Sequence, residues 1–322
     1  MKLLKNFDAP SDLCSIILIC VIRDEELLMP AFLKHYRKLG VTHFIFIDNG
    51  SIDGSLEYLE SISSELNIQI WQTKESYAEN MYGVAWVNKI LNLQCKNKWC
   101  LVVDVDEFIL LKDGKTMKDI RDSMIDSETN ILQTLLIDFY PKSFSNSHYK
   151  QHDDPFSHSC CFDKSSSDST FIQQALDGST GIKGGLRHRI LNDNTKPDNS
   201  SVCLTKKSFF KYDFFDTHHL EVGMHWILSN EFEGWDSYDG WNESNQFLKF
   251  FNDIIIVAHF KFIKPDLKSF IQQRIDRNQD WNGSCEYKKY KNSLSDSFFQ
   301  ENFSLVHDNP NQVYKYTLNN IT

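Results

Sequence analysis

The chain has 322 residues, 41% of them hydrophobic and 24% charged, with a formal net charge of -10 at pH 7. That length and apolar content exclude a disordered polymer, and the negative balance excludes nucleic acid as a partner, because a polyphosphate backbone would be repelled. The eight cysteines form no C-x-x-C pair and several lie inside apolar runs, so free thiols in a reducing compartment explain them better than disulfides or a zinc site.

The first apolar run, SIILICVI at 15–22, is β-branched and bounded by polar residues, which predicts a central strand of a parallel sheet. It is far too short to span a bilayer, and the N-terminus lacks the apolar stretch of a secretory signal. A soluble cytoplasmic protein is therefore expected, and peripheral attachment to the inner face of the membrane is compatible with it. The run breaks into Arg23-Asp24-Glu25-Glu26. Leu28, Phe32, Tyr36 and Leu39 then recur at helical spacing, with Pro30 in the first turn and Gly40 past the end. A second strand, FIFI at 44–47, runs into the turn-rich Asp48-Asn49-Gly50-Ser51-Ile52-Asp53-Gly54-Ser55, followed by a helix at 56–62 and a third strand at 68–71. Residues 77–93 carry Met81, Val84, Ala85, Asn88 and Leu91 at mostly helical intervals and precede a fourth strand ending at Asp104. This βαβαβαβ pattern predicts right-handed crossovers and a largely parallel sheet with helices on both faces.

Downstream, 116–124 predicts a short helix and 131–139 a strand. Residues 143–170 turn to Ser, His and Asp without periodicity, as in a long loop or lid. GIKGGLRHRI at 181–190 gathers Lys183, Arg187 and Arg189 beside three glycines, and the aromatic-rich 209–220 carries Thr217-His218-His219. IIIVAHFKF at 254–262 is a further buried strand carrying His259, with a helix following at 267–278. No repeat or linker interrupts the chain. Residues 1–110 read as a nucleotide-binding half, and 111–322 as an acceptor-binding and lid half of the same unit.

The fourth strand holds the strongest chemical signal. In WCLVVDVDEFIL, 99–110, an apolar run stops at Asp104, Val105, Asp106 and Glu107. On an extended backbone Asp104 and Asp106 point to one side and Glu107 away. Two carboxylates so placed repel each other unless a cation lies between them, and hard oxygen ligands suit Mn2+ or Mg2+. The plain alternative is a strand followed by a solvated acidic turn. Against it stands the topology: the turns after Ile22, Ile47 and Val103 all fall at the carboxyl edge of the sheet, where such folds bind ligands.

With these motifs in place, CVIRDEELLMPAFLKHYRKLGVTHFIFIDNGSIDGS followed by WCLVVDVDEFI resembles the family 2-like glycosyltransferases of GT-A fold, in the bacterial branch with an R-N-E or R-D-E turn, a D-N-G-S loop and a D-x-D motif. Weaker similarity continues through DPFSHSCCFD, GGLRHRIL, THHLEVG and AHFKF, and lapses at 143–170 and at IDFYPKSF. The resemblance implies a GT-A-type α/β fold, a mostly parallel sheet flanked by helices, with 1–110 binding the nucleotide-sugar and a C-terminal acceptor and lid region. It implies that Arg23, Glu25 and Asp48, with Asp53 a lesser candidate and Asp104 beside them, hold the nucleotide. A carboxylate suits the imino N–H of uracil or guanine. Asp104 and Asp106 would hold Mn2+ or Mg2+ against the diphosphate, supported by Glu107, with His259 as third ligand and His219 as second choice. Lys183, Arg187 and Arg189 would add charge-assisted contacts to the diphosphate. Each has a plain counterpart: a capped turn, a core histidine, a solvated basic loop.

The function expected is transfer of a sugar from a UDP- or GDP-sugar to a hydroxyl of a glycan or lipid-linked glycan, in cell-surface polysaccharide synthesis. Inversion is implied by the resemblance, and Asp216, His219 and Glu221 are the base candidates. Tyr140, Trp226, Trp235, Trp241 and Trp281 offer sugar-stacking faces. A metal-dependent phosphohydrolase built on Asp104, Asp106, His218, His219 and His259 is a rival, weakened by the lack of an H-x-H or H-D pair on the early strands. A sugar-nucleotide or glycan binding module without turnover is the other.

Overall fold

The computed structural model describes residues 1–7, 10, 12, 14–144, 148–166, 169–174, 179–191, 202–230, 247–293 and 297–318. The edge strand β1 (Lys2–Lys5) is followed by β2 (Ile16–Ile22), α1 (Met29–Lys38), β3 (His43–Asp48), α2 (Ser55–Ile62), β4 (Asn67–Gln72), α3 (Val84–Gln94) and β5 (Trp99–Val102). Strand β2 forms because all seven of its residues are apolar and both its faces are covered. Ile16, Leu18, Cys20 and Ile22 join Phe32, Leu33 and Tyr36 of α1 in one core, while Ile17 and Ile19 join Val84, Val87 and Ile90 of α3 in another. Each large apolar side chain so buried contributes about 1.5–3 kcal/mol, so a one-residue slip of β2 exchanges its two faces at high cost.

The second half adds β6 (Glu107–Leu110), α4 (Met117–Asp126), β7 (Ile131–Tyr140), α5 (Pro155–His158), β8 (Cys161–Asp163), β9 (Thr170–Gln174), β10 (Thr180–Gly184), α6 (Gly185–Leu191), β11 (Thr205–Lys211), β12 (His218–Leu220), β13 (Ile227–Ser229), β14 (Ile255–His259), α7 (Leu267–Arg277), α8 (Trp281–Ser293), β15 (Ser304–Val306) and α9 (Pro310–Thr317). One large sheet runs through both halves in the order β1-β4-β3-β2-β5-β11-β7-β14-β6, with β8 and β15 attached at β7. The block β4-β3-β2-β5 is parallel throughout, as βαβ units require. Beyond it β11 is antiparallel to both neighbours, β14 is parallel to β7, and β6 closes the edge antiparallel to β14. The hairpins β9–β10 and β12–β13 stand apart from this sheet.

Three segments differ from the sequence expectation. The helix expected over 77–93 is split: Met81, Tyr82 and Gly83 take φ of 51°, 52° and 85°, and α3 starts only at Val84. The backbone turns there because it closes onto β2, where a Cβ on Gly83 would meet the Tyr77 ring at 3.0 Å and Val21 at 3.4 Å. The fourth strand stops at Val102, and 104–107 form a turn closed by the Glu107 N–H donating to the Asp104 carbonyl at 3.0 Å. The expected loop at 143–170 contains α5 and β8. Among the described residues no helix is long and apolar enough to cross a membrane.

Candidate active site

The chain leaves β2 for β3 on one side and, after β4, returns to lay β5 on the other side of β2. The connections beyond β2 and β5 therefore diverge and open a crevice at the carboxyl ends of the strands, the place where parallel sheets bind ligands. Arg23, Asp24 and Glu25 follow β2 there, and Asp104 and Asp106 follow β5. From the second half, β14 brings His259 opposite Glu107 of β6 and Asp138 of β7.

Because 104–107 is a turn, the two-residue alternation expected of Asp104 and Asp106 is lost. Asp104 and Glu107 instead share one cation: Lys206 Nζ lies 2.6 Å from Glu107 Oε1 and 3.5 Å from Asp104 Oδ2. Glu107 is buried and also accepts the Asp104 N–H at 3.2 Å, whereas the Asp104 side chain is 54% exposed. Burial raises the Glu107 pKa although Lys206 pulls it down. Burial disfavours the Lys206 ammonium too, but Glu107 and Asp104 push its pKa up to about 12.

Asp106 turns the other way, towards His259, whose Nε2 is 3.5 Å from Asp106 Oδ2. His259 Nδ1 lies 2.5 Å from Asp138 Oδ1, and Arg187 Nε donates to both Asp138 oxygens at 3.1 and 3.2 Å. Burial works against charge on Asp106, yet His259, with Lys264 and Lys261, holds its carboxyl well below the usual range. Burial likewise disfavours the imidazolium, but Asp106 leads the groups that raise the His259 pKa.

No group of three or more His, Cys, Asp or Glu side chains among the described residues converges as a metal shell. Asp106 and His259 do converge, a carboxylate oxygen and an imidazole nitrogen 3.5 Å apart. The Nδ1 contact to Asp138 leaves Nε2 facing Asp106, the arrangement of a metal-ligating histidine with an outer carboxylate. One carboxylate and one imidazole are donors that suit Mn2+ or Mg2+, and Asp106 and His259 are the residues that would hold such an ion; Asp104, turned to Lys206, stands outside the pair.

Glu25 is held by Lys264 Nζ at 3.0 and 2.9 Å, and burial, helped by Asp106, pushes its pKa up to about 7 against that lysine. Asp24 meets Arg277 at 3.4 Å. Arg23 has a buried Nε without a partner among the described residues and a long 3.5 Å contact from Nη1 to Asn49; burial, then Arg277, lowers its pKa. Asp48 is fully buried at the end of β3 and accepts the N–H groups of Gly50 and Ser51 and the Gln72 amide, so it builds the turn. Asp53 accepts the Ser55 N–H and hydroxyl at the start of α2 and the Glu26 N–H, which ties this loop to the first.

Lys183 is buried on β10, its ammonium 5.9 Å from the Phe171 ring. Arg187 is committed to Asp138, and Arg189 donates to Asp163 at 2.9 and 3.0 Å and to the Phe298 carbonyl at 2.8 Å. The basic segment is thus not a solvated loop: Lys183 and Arg187 are buried, and Arg189 is held by Asp163. His219 and Glu221 pair at 3.8 Å on the β12–β13 hairpin, which is pinned to α3 by Asn88 bonding both the N–H and the C=O of Leu220. Asp216 lies exposed in the preceding turn. Tyr140 offers no face to a sugar: it is fully buried, with its hydroxyl bonded to Asp163 and Ser304. Trp226 packs beside His225 with ring centroids 5.6 Å apart. Trp235 and Trp241 lie outside the described residues, as does the side chain of Trp281.

Residues not singled out in the sequence pair with these groups or sit beside them: Asp138, Lys206, Lys261, Lys264, Arg274 and Arg277. Lys261 bonds Glu286 at 2.7 Å beneath the Tyr287 and Tyr290 rings, and Arg274 pairs with Asp280 while facing Phe270 and Tyr287. The available signal was position. Lys261 and Lys264 directly follow the strand of His259, and Asp138 is the lone acid in an otherwise uncharged strand.

Residues 19–232 match the model of Glycosyltransferase family 92. That match bears out a glycosyltransferase, but it does not carry the narrower family 2-like resemblance. No curated protein sequence matches the chain. Among solved structures, S. aureus TarS 1–349 is 13% identical with a TM-score of 0.38, over 82% of this chain and 64% of that one. The same fragment in complex with UDP is 12% identical, TM-score 0.39, over 87% and 72%. A putative glucose-1-phosphate thymidylyltransferase from Bacillus anthracis is 8% identical, TM-score 0.35, over 63% and 73%. The chain spans 44% of the longer S. aureus TarS structure.

Proposed function

Because the chain belongs to glycosyltransferase family 92, we propose that it moves a sugar from a UDP- or GDP-sugar to a hydroxyl of a glycan or lipid-linked glycan, with inversion, in the cytoplasm at the inner face of the membrane. The product serves cell-surface polysaccharide synthesis. The observation that carries this reading is the convergence of the Arg23–Glu25 loop, Asp104, Asp106 and His259 on one crevice at the strand-order reversal. A divalent ion held by Asp106 and His259, with Asp104 alongside, would neutralise charge on the departing nucleoside diphosphate. Arg23 brings a guanidinium whose Nε has no partner among the described residues, and Lys206 and Lys264 bring ammonium groups already facing the crevice carboxylates. These three, more than Arg187 and Arg189, oppose the phosphate charge; Lys183 is kept as a fourth contact. Glu25 and Asp48 shape the nucleoside end of the crevice, and Asp53 fixes their loops together. The His219–Glu221 pair takes the proton from the acceptor hydroxyl, with Asp216 the alternative base.

Melting temperature against a panel of nucleoside diphosphates and nucleotide-sugars, with and without Mn2+, tests this, since a ligand selective for the native state stabilises it by mass action. An Mn2+-dependent rise with UDP or GDP ligands, lost in Asp106→Ala, is the expected result. His219→Ala and Glu221→Gln should lower kcat about 10²- to 10⁴-fold while leaving the donor-induced rise intact. A folded protein that responds to no nucleotide, or turns over a phosphate ester without an acceptor, overturns the transferase.

A further inference from the structure

Asp138, His259 and Arg187 form a buried triad, exposed by 5%, 6% and 8% respectively. Two groups compete for the same ring atom within it. His259 Nδ1 is 2.5 Å from the Asp138 carboxylate, which only accepts, and 2.7 Å from Arg187 Nη2, which only donates. A proton on Nδ1 satisfies Asp138. A lone pair on Nδ1 satisfies Arg187 and moves the proton to Nε2, the atom that faces Asp106. The contact to an ionised acceptor at 2.5 Å is the shorter and the stronger of the two, and Arg187 has a second use for its charge in the Nε contacts to both Asp138 oxygens.

We infer that Asp138 is a positioning residue: it holds the proton of His259 on Nδ1 and so keeps the Nε2 lone pair turned to Asp106 as a ligand for a divalent cation, while Arg187 is both its counterion and its rival. This rests on the divalent-ion reading above. It gives Arg187 a task other than gripping phosphate, which suits a guanidinium that is 8% exposed. Asp138 touches neither substrate nor cation and acts through the ring it orients.

The test is Mn2+ affinity, measured by titration with paramagnetic resonance detection of free Mn2+, in the full-length protein and its variants. Asp138→Asn keeps the shape of the side chain but surrenders the charge, so Arg187 captures Nδ1, the proton moves to Nε2, and Mn2+ binding falls about 10- to 100-fold. Adding Arg187→Met removes the rival. The Asn oxygen then accepts from Nδ1 unopposed, and the double variant binds Mn2+ within about tenfold of wild type. A merely structural role would not make the second loss repair the first. If Asp138→Asn alone does not fold, the double variant, in which no buried charge is left unpaired, decides: loss of Mn2+ binding in folded double variant overturns the proposal. Unchanged affinity in folded Asp138→Asn also overturns it, with the metal reading intact as long as Asp106→Ala abolishes binding. Absence of Mn2+ binding in wild type overturns both.

Discussion

His219 and Glu221 each move the other's titration. The pairing with His219 leads the causes that lower the Glu221 pKa below its ordinary 4.5, and the pairing with Glu221 leads those that raise His219 above 6.5. A histidine with a raised folded pKa lends stability at low pH that is lost as pH rises through that value. A carboxylate with a depressed one lends stability that is lost as pH falls through its own. The pair therefore contributes between roughly pH 4.5 and 6.5. Both groups are partly exposed, so the contribution stays below about 1 kcal/mol. In thermal melts, His219→Gln should lower the melting temperature most near the middle of that window and not at all in alkaline buffer. At this scale the sequence identified the acids and the histidines but not their partners. A two-residue alternation put Asp104 with Asp106; the turn at 104–107 puts Asp104 with Glu107 on Lys206, because a hydrogen-bonded turn has no strand period.

Among the elements, β10 and α6 show what the glycines of GIKGGLRHRI do. Gly184 has φ of 148°, and a Cβ there would sit 2.8 Å from the Ser169 carbonyl oxygen, a backbone atom that cannot step aside. Gly185 follows at φ 62° and opens the helix that carries Arg187. The glycines set the angle at which α6 leaves the hairpin, and hence the reach of Arg187 to Asp138. Gly184→Ala should destabilise the protein by roughly 1–3 kcal/mol, seen as a melting point lowered by several degrees. The elements of the first half were legible because each strand is a short apolar run between turn residues. The split before α3 was not: Met81 and Tyr82 carry no mark of left-handed backbone, and only closure of the segment onto Tyr77 and Val21 requires it.

For the whole molecule, the family match ends at residue 232, yet β14 lies inside the sheet between β7 and β6, buried along its length. It delivers His259, and the chain beyond it delivers Lys261, Lys264, Arg274 and Arg277 to the crevice. A chain cut after residue 232 would leave β7 with an unpaired inner edge and no His259. It should show no cooperative melt by circular dichroism and no nucleotide response. A folded truncated chain that still binds donor would mean that the C-terminal segment does not complete the site.

The sequence by itself determined the parallel half of this protein. Apolar runs buried on both faces, turn residues at their carboxyl ends and helical spacing between them are local signals, and the right-handed crossover rule converts them into one edge where three loops meet. Only the tertiary structure decided which charges face each other. Lys206 on Glu107, Lys264 on Glu25, and Asp138 between His259 and Arg187 join residues 49 to 239 positions apart. Such pairs are fixed by strand order and by the need of every buried charge for a partner, and neither condition is written in any one stretch of the chain.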